Sequence, residues 1–485
     1  LEPQNLAHVF IQAARTWPDR LAVQDEDVSR TYAELADQAL RLAARIAQAP
    51  PSETGIEAFL CPRGLSAYTA LLAILLAGRT YLPLSPKWPR SRLRSVIEQA
   101  RPGQILIANE GDNLLAGLGK TLNITDEPGT ERLRPGEYGA EGVAYLLFTS
   151  GTTGSPKGIA IRHAQVMSYL RAMKKLIAIA PEDRVSQVFD LGFDLSVHDL
   201  FMTWSAGACL VTFSDQDALL PIEAISRRRL SVWFSTPSIA ARAAVMGALK
   251  KNSLPTLRET LFCGEALTAA AAASWRAAAP RSRLHNLYGP TEATIAVSTL
   301  TVDVGADLPI DDNGLVPLGK ILPPNEFKIG SEEELWLRGP QVIRNYFQNV
   351  APDKFEGEWY KTGDRVALVG QNLNFLGRND EQVKLRGFRV ELAEINRALM
   401  EITGALRVVT LVTPPAPQPA ELLYTFIEGP ELNEAKKVEW IARLRERLPE
   451  YMIPFDLFGV AQFPMTANGK LDRIALREML DKNLA

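Results

Sequence analysis

The spacing of apolar and polar residues changes several times along the chain. Thr31-Tyr-Ala-Glu-Leu-Ala36 opens a helix, with Thr31 as N-cap and Glu34 three residues on, the arrangement of a capping box. Residues 66–77 are apolar on nearly every side and predict a buried helix that Gly78 ends. Residues 80–84 follow as a strand, and Pro83, Pro86 and Pro89 mark the turns after it. Residues 143–148 predict another strand, and the alanine-rich residues 269–279 a helix. Between 300 and 380 the pattern is β-rich, with strands at 327–329, 334–338 and 374–376, and with residues 360–364 and 377–380 in their connections. From Glu381 the texture changes. Leu392, Ile395, Leu399 and Ile402 keep helical spacing, 406–412 and 422–427 read as strands, and Val438, Ile441, Leu444 and Leu448 mark a second amphipathic helix. Alternating helix and strand predicts a layered α/β fold. The expected organisation is a large N-terminal α/β domain, residues 1–379, and a small C-terminal α+β domain, residues 380–485.

Composition narrows the function. At 485 residues the chain exceeds one ordinary core. A net charge of −3 without a long basic run argues against nucleic acid. Cys61, Cys209 and Cys263 are far apart, which argues against a zinc site or disulfide framework and fits a reducing, cytoplasmic setting. The longest apolar helical run, 70–77, is too short to span a membrane. No signal peptide is visible, the start at Leu1 implies a trimmed N-terminus, and a monomer is expected.

Candidate chemistry centres on Thr149, Ser150, Gly151, Thr152, Thr153 and Gly154, followed by Ser155-Pro-Lys157. Glycines let main-chain N–H groups converge on an anion, hydroxyls add donors, and Lys157 adds a point charge. It is not the P-loop pattern: Pro156 stands where a second glycine is needed, and Gly158 where Ser or Thr is. A flexible polar turn stays open as a reading. Phe193-Asp-Leu-Ser-Val-His-Asp-Leu-Phe201, Phe262-Cys-Gly-Glu-Ala-Leu267 and Asn286-Leu-Tyr-Gly-Pro-Thr-Glu292 also place polar groups in apolar settings. Taken singly, each is equally a strand end with turn residues. Asp194 can be a helix cap, His198 a satisfied core histidine, and Lys470 a loop lysine.

Together these strings resemble the adenylate-forming superfamily, most closely the adenylation domains of nonribosomal peptide synthetases and free-standing amino acid–carrier protein ligases. Tyr360-Lys-Thr-Gly-Asp364, Gly377-Arg-Asn-Asp-Glu-Gln-Val-Lys-Leu-Arg-Gly-Phe-Arg-Val-Glu391, Leu448-Pro-Glu-Tyr-Met-Ile-Pro454 and Asn468-Gly-Lys-Leu-Asp-Arg473 complete the set. Gly78-Arg79, Ser85 and Ser331-Glu-Glu-Glu334 depart from the family pattern. The resemblance implies a two-step ligase: a carboxylate attacks the α-phosphorus of ATP, and a phosphopantetheine thiol then takes the acyl group. Both first-step reactants are anionic, so positioning and cationic neutralisation matter more than a nucleophilic side chain.

By resemblance, Thr149 to Gly154 and Lys157 hold the outer phosphates. Tyr288 stacks on adenine, while Asn286 and the backbone of Gly264, Glu265 and Ala266 read the base, beside Leu287 and Gly289. Thr291 touches the α-phosphate, Glu292 ligates Mg²⁺, Asp364 takes the ribose with Arg378 nearby, and Lys470 bridges substrate carboxylate and α-phosphate. Asp380 is the implied hinge, and residues 384–390 serve the second step. The implied pocket is Asp194, Leu195, His198, Ser235, Leu261, Cys263, Leu287, Ile295 and Ala296, with Asp194 on the substrate ammonium, which suits a small uncharged amino acid. No carrier domain is visible, so the thiol is expected from a peptidyl carrier protein in cis or in trans. An acyl- or aryl-CoA ligase is the alternative, although Asp194 favours an amino acid. A nucleotide-binding regulatory module is disfavoured by Lys470 and Asp364.

Overall fold

The computed structural model describes residues 3–108, 113–125, 131–133, 141–151, 156–219, 221–429, 432–466 and 471–484. Two sheets face each other across a layer of helices. The six-stranded sheet has Val143–Thr149 and Lys157–Arg162 at one edge, beside parallel Thr80–Leu84 and Ile56–Leu60. The nine-stranded sheet carries Val232–Ser235, Glu259–Phe262 and Arg283–Tyr288 side by side and parallel. Between them lie Leu6–Thr16, Tyr32–Ala47, Leu65–Leu76, His163–Leu176 and Leu195–Ser205, which share one apolar core with the inner faces of both sheets. Leu65–Leu76 is buried along almost its whole length, as its unbroken apolar character requires. The Thr31–Glu34 capping box forms, each side chain bonding the other's backbone N–H. Smaller cores cover the outer faces of the two sheets.

A five-stranded sheet built on Glu334–Arg338, Trp359–Val369 and Asn372–Arg378 adjoins this body. Here the sequence expectation needs correction. Tyr360 to Asp364 lies inside the strand Trp359–Val369, and Arg378 ends the strand Asn372–Arg378, where it pairs with Asp364 across the ladder. Turn-like Thr-Gly-Asp is accommodated because Gly363 takes a φ of +77° and the register shifts just after it.

The smaller C-terminal domain wraps a three-stranded sheet, Val408–Thr413, Leu422–Glu428 and Asp456–Val460. Leu392–Thr403 covers one face and Arg473–Leu484 the other. The helix Glu434–Arg445 also departs from expectation: Leu444 is buried, but Val438 is exposed, so its apolar stripe is narrower than the spacing predicts. Before these elements comes a hairpin, Gln382–Leu385 with Phe388–Glu391. Among the described residues, no helix is long and apolar enough to cross a membrane.

Candidate active site

The cleft lies where strand ends meet the C-terminal hairpin. Thr149 ends one strand and Lys157 opens the next, and the two pair across the antiparallel ladder. The glycine- and threonine-rich loop is therefore closed at its neck, leading strand to strand instead of strand to helix. Burial lowers the Lys157 pKa, against the pull of Glu391 and Glu292. Thr152, Thr153 and Gly154 lie outside the described residues, as does Lys470. Leu471 pairs with Met465 across the latter gap, and Arg473 pairs with Glu381.

Arg283–Tyr288 delivers the next group of side chains. Beyond it, Gly289 runs against the backbone of Ala296, and a Cβ there would come within 2.6 Å of the Ala296 Cα. The turn Thr291–Ala293 follows, and then Thr294 and Ile295 take positive φ of 57° and 72°. Side chains at such angles carry strain of order 1–3 kcal/mol. Gln341 offsets it: its amide bonds the carbonyls of Ala296 (2.9 Å), Thr294 (3.3 Å) and Ala293 (3.4 Å). The conformation turns the Ile295 N–H toward Asp194, to which it donates at 3.1 Å.

Asp194 sits at the start of Leu195–Ser205 but does not cap it with its side chain. Burial pushes its carboxyl up to about 6, the Ile295 N–H works the other way, and the Glu292 charge raises it further. Among the described residues no basic side chain forms an ion pair with it. Glu292 has the opposite surroundings. Burial pushes it up, but the charge and hydrogen bonds of Arg389, with the Tyr346 hydroxyl, outweigh that and hold it at about 2.

The residues expected on the nucleotide side interlock. Tyr288 donates its hydroxyl to Asp364 at 2.6 Å, and Arg378 donates to the other Asp364 oxygen. Arg378 also holds Asp380 at 2.7 and 2.9 Å. Asn286 donates to the carbonyls of Val316 (3.0 Å) and Pro317 (2.9 Å), which leaves its Oδ1 a buried acceptor without a partner among the described residues. Glu265 accepts from Ser238 N–H at 2.9 Å and from Gly387 N–H on the hairpin.

The cleft encloses about 80 Å³. Of the residues singled out from the sequence, Thr149, Ser150, Asp194, Leu195, Cys263, Gly264, Gly289, Thr291, Asp364 and Arg378 line it. His198, Ser235, Leu261, Leu287, Ile295 and Ala296 do not: they are buried behind the wall. Ser235 is already committed, accepting from Trp233 at 2.9 Å and donating to the Thr236 carbonyl at 3.1 Å. His198 is 2.7 Å from the Tyr169 hydroxyl through Nδ1, and burial lowers its pKa to about 3, so it is neutral. Burial likewise pushes the Cys263 thiol up to about 12. The structure adds Trp88, Phe193, Lys384, Arg389 and Tyr451 to the wall, and places Tyr346 on Glu292 at 2.6 Å. Phe193, Lys384, Arg389 and Tyr451 stood in motif strings without a pocket role. Nothing local marks Tyr346, 54 residues from its partner.

Comparison with known proteins shows what the chain is similar to. The AMP-binding enzyme family matches residues 10–347. One of the plipastatin synthase subunits of Bacillus subtilis is 32% identical over 96% of this chain, but the match spans only 19% of that protein. The D-alanine–D-alanyl carrier protein ligase of Bacillus licheniformis is 31% identical over 96% of this chain and 97% of its own length. The solved adenylation domain AlmE of Vibrio cholerae, in complex with glycyl-adenosine-5'-phosphate, is 27% identical with a TM-score of 0.86, covering 99% of this chain and 98% of that one. The chain belongs to the AMP-binding enzyme family.

Proposed function

We propose that the protein activates a small, uncharged amino acid with ATP as an aminoacyl-adenylate, then passes the acyl group to the phosphopantetheine thiol of a carrier protein. The observation that carries this reading is Asp194, a buried carboxylate beside the phosphate-binding strings with no cationic side chain paired to it among the described residues. A substrate ammonium supplies the missing charge; a fatty or aryl acid has none to offer. Two relatives favour a small side chain: AlmE was solved with a glycyl adenylate, and the ligase is named for D-alanine.

The remaining roles follow from chemistry. Asn286 Oδ1 is an acceptor for the adenine amino group. Asp364 already takes two donors but keeps lone pairs for ribose hydroxyls. Thr149 to Gly154 and Lys157 hold the outer phosphates, and Thr291 the α-phosphate. Among the described residues no cluster of three or more His, Cys, Asp or Glu forms a metal site. Mg²⁺ would suit such a donor set, and Glu292 would supply the carboxylate once Arg389 moves away, the ion's charge taking the place of the guanidinium's. The ion would supply charge neutralisation at the phosphates, and Lys470 would bridge the reacting carboxylate and the α-phosphate.

Pyrophosphate exchange against the twenty amino acids tests the reading. Exchange with small uncharged substrates is expected, with modest discrimination because one methylene is worth about 1–3 kcal/mol. A preference for charged or large aromatic substrates overturns the pocket. Adenylation of aryl or fatty acids alone overturns the role of Asp194.

The state of Asp194 also sets a pH profile. Binding the ammonium needs the carboxylate, so kcat/KM for the amino acid should fall about tenfold per pH unit below about 6. Asp194→Asn should remove that inflection. A profile flat down to pH 5 in the wild type would contradict it.

The two half-reactions need different faces of the C-terminal domain, which we place at residues 380–485 with its pivot at Asp380. Asp380→Pro restricts the backbone there and should slow thioester formation more than adenylation. Equal loss of both, or of neither, in single-turnover assays counts against the pivot.

A further inference from the structure

Arg389 occupies both oxygens of Glu292, the carboxylate proposed above for Mg²⁺. Its Nη1 donates to both Glu292 oxygens, at 2.8 and 2.7 Å, while Tyr346 donates to one of them at 2.6 Å. The hairpin that carries Arg389 is seated at two further points. Ser150 Oγ donates to the Arg389 carbonyl at 2.9 Å and accepts from Glu391 N–H at 3.2 Å. The Gly387 N–H donates to Glu265. Gly387 itself has a φ of +87°, and a Cβ on it would come within 2.6 Å of Thr236. Around the hairpin, Phe388 meets Phe193 at 5.1 Å, and Lys384 lies over the Tyr288 ring at 5.3 Å. Farther out, Arg92 and Glu394 pair at 3.0 Å, both buried.

The hairpin thus rests on Ser150, Glu265 and Glu292, one residue from each of the strings assigned above to phosphate, base and metal. Resting on that reading, we infer that Arg389 and the divalent cation are alternative partners of Glu292, so that hairpin docking and metal–nucleotide binding exclude each other. A fully buried carboxylate left without a cation is strongly unfavourable. One cation must be present in each arrangement, yet two on the same carboxylate repel at hydrogen-bonding range. Departure of metal with pyrophosphate would therefore leave Glu292 to Arg389 and seat the hairpin. Returning metal and triphosphate would unseat it. The exchange makes Arg389 a positioning residue whose partner is the metal carboxylate.

Competition has a signature that a purely structural role lacks: removing the competitor tightens the metal. The probe is Mn²⁺, titrated by electron paramagnetic resonance into the full chain with α,β-methylene-ATP. If the docked arrangement holds about nine-tenths of the free protein, Arg389→Gln should tighten Mn²⁺ about tenfold. Arg389→Lys keeps a cation in place and should stay nearer the wild type, and it guards against a folding defect in the neutral variant. Glu292→Gln should weaken Mn²⁺ at least about tenfold. Unchanged or weaker Mn²⁺ in Arg389→Gln, with Glu292→Gln impaired, overturns the inference and leaves the proposed function intact. Wild-type Mn²⁺ affinity in Glu292→Gln overturns both.

Discussion

Asp194→Asn is expected to lower kcat/KM for the amino acid by roughly a hundredfold or more at pH 7.5, while raising the stability of the ligand-free protein. The first effect is the loss of the proposed buried charge-assisted contact with the substrate ammonium; truncating one partner of such a pair costs about 2–5 kcal/mol. The second follows from linkage. The Asp194 carboxyl titrates near 3.8 when unfolded and at about 6 when folded. Between those values the folded state binds the extra proton, so stability falls as pH rises through that window and the penalty is complete above about 6. A shift of about two pH units corresponds to roughly 2–3 kcal/mol. Asn carries no charge, so thermal unfolding at pH 7.5 should move upward in the variant and coincide with the wild type near pH 3. A site held ready for a cation at the expense of stability is a recurrent trade-off. Loss of activity together with loss of stability at pH 7.5 would show that Asp194 is structural.

Lys470→Ala is expected to lower adenylate formation by roughly a few hundredfold, from the loss of a contact made mainly in the transition state and worth about 3–4 kcal/mol. ATP affinity should change little, because the other proposed nucleotide contacts come from the large domain. Transfer from preformed adenylate to the carrier thiol should survive, since the cleft is then faced by the hairpin with Arg389. Single-turnover measurement of each half-reaction separates the two. Near-normal pyrophosphate exchange in the variant removes Lys470 from the first step.

Much of this protein is legible locally. A buried helix at residues 66–77, the Thr31 capping box and the strand into the glycine-rich loop follow from periodicity and end signals, which depend on neighbours in sequence. The change of texture after Glu381 likewise reflects a separate core. Local reading failed where tertiary pairing outweighed propensity. Thr362-Gly-Asp364 looks like a turn, but its neighbours Glu334–Arg338 and Asn372–Arg378 supply ladders on both sides, and the strand runs through it. Val438 has helical spacing but no core to face.

The sequence by itself carried the motif strings, whose order resembles the family, and through that resemblance it offered Asp194, Glu292, Asp364 and Arg378 as candidates, because residue type and order survive without any knowledge of packing. Only the tertiary structure decided their electrostatic states. Asp194 and Glu292 are both buried carboxylates, yet one titrates at about 6 and the other at about 2. The difference lies in Arg389, 97 residues from Glu292, and in Tyr346, 54 residues away. It also moved His198 and Ser235 behind the cleft wall and brought the hairpin onto Ser150, Glu265 and Glu292. Burial and charge pairing depend on which side chains arrive from distant strands and from the second domain, and no local pattern encodes that meeting.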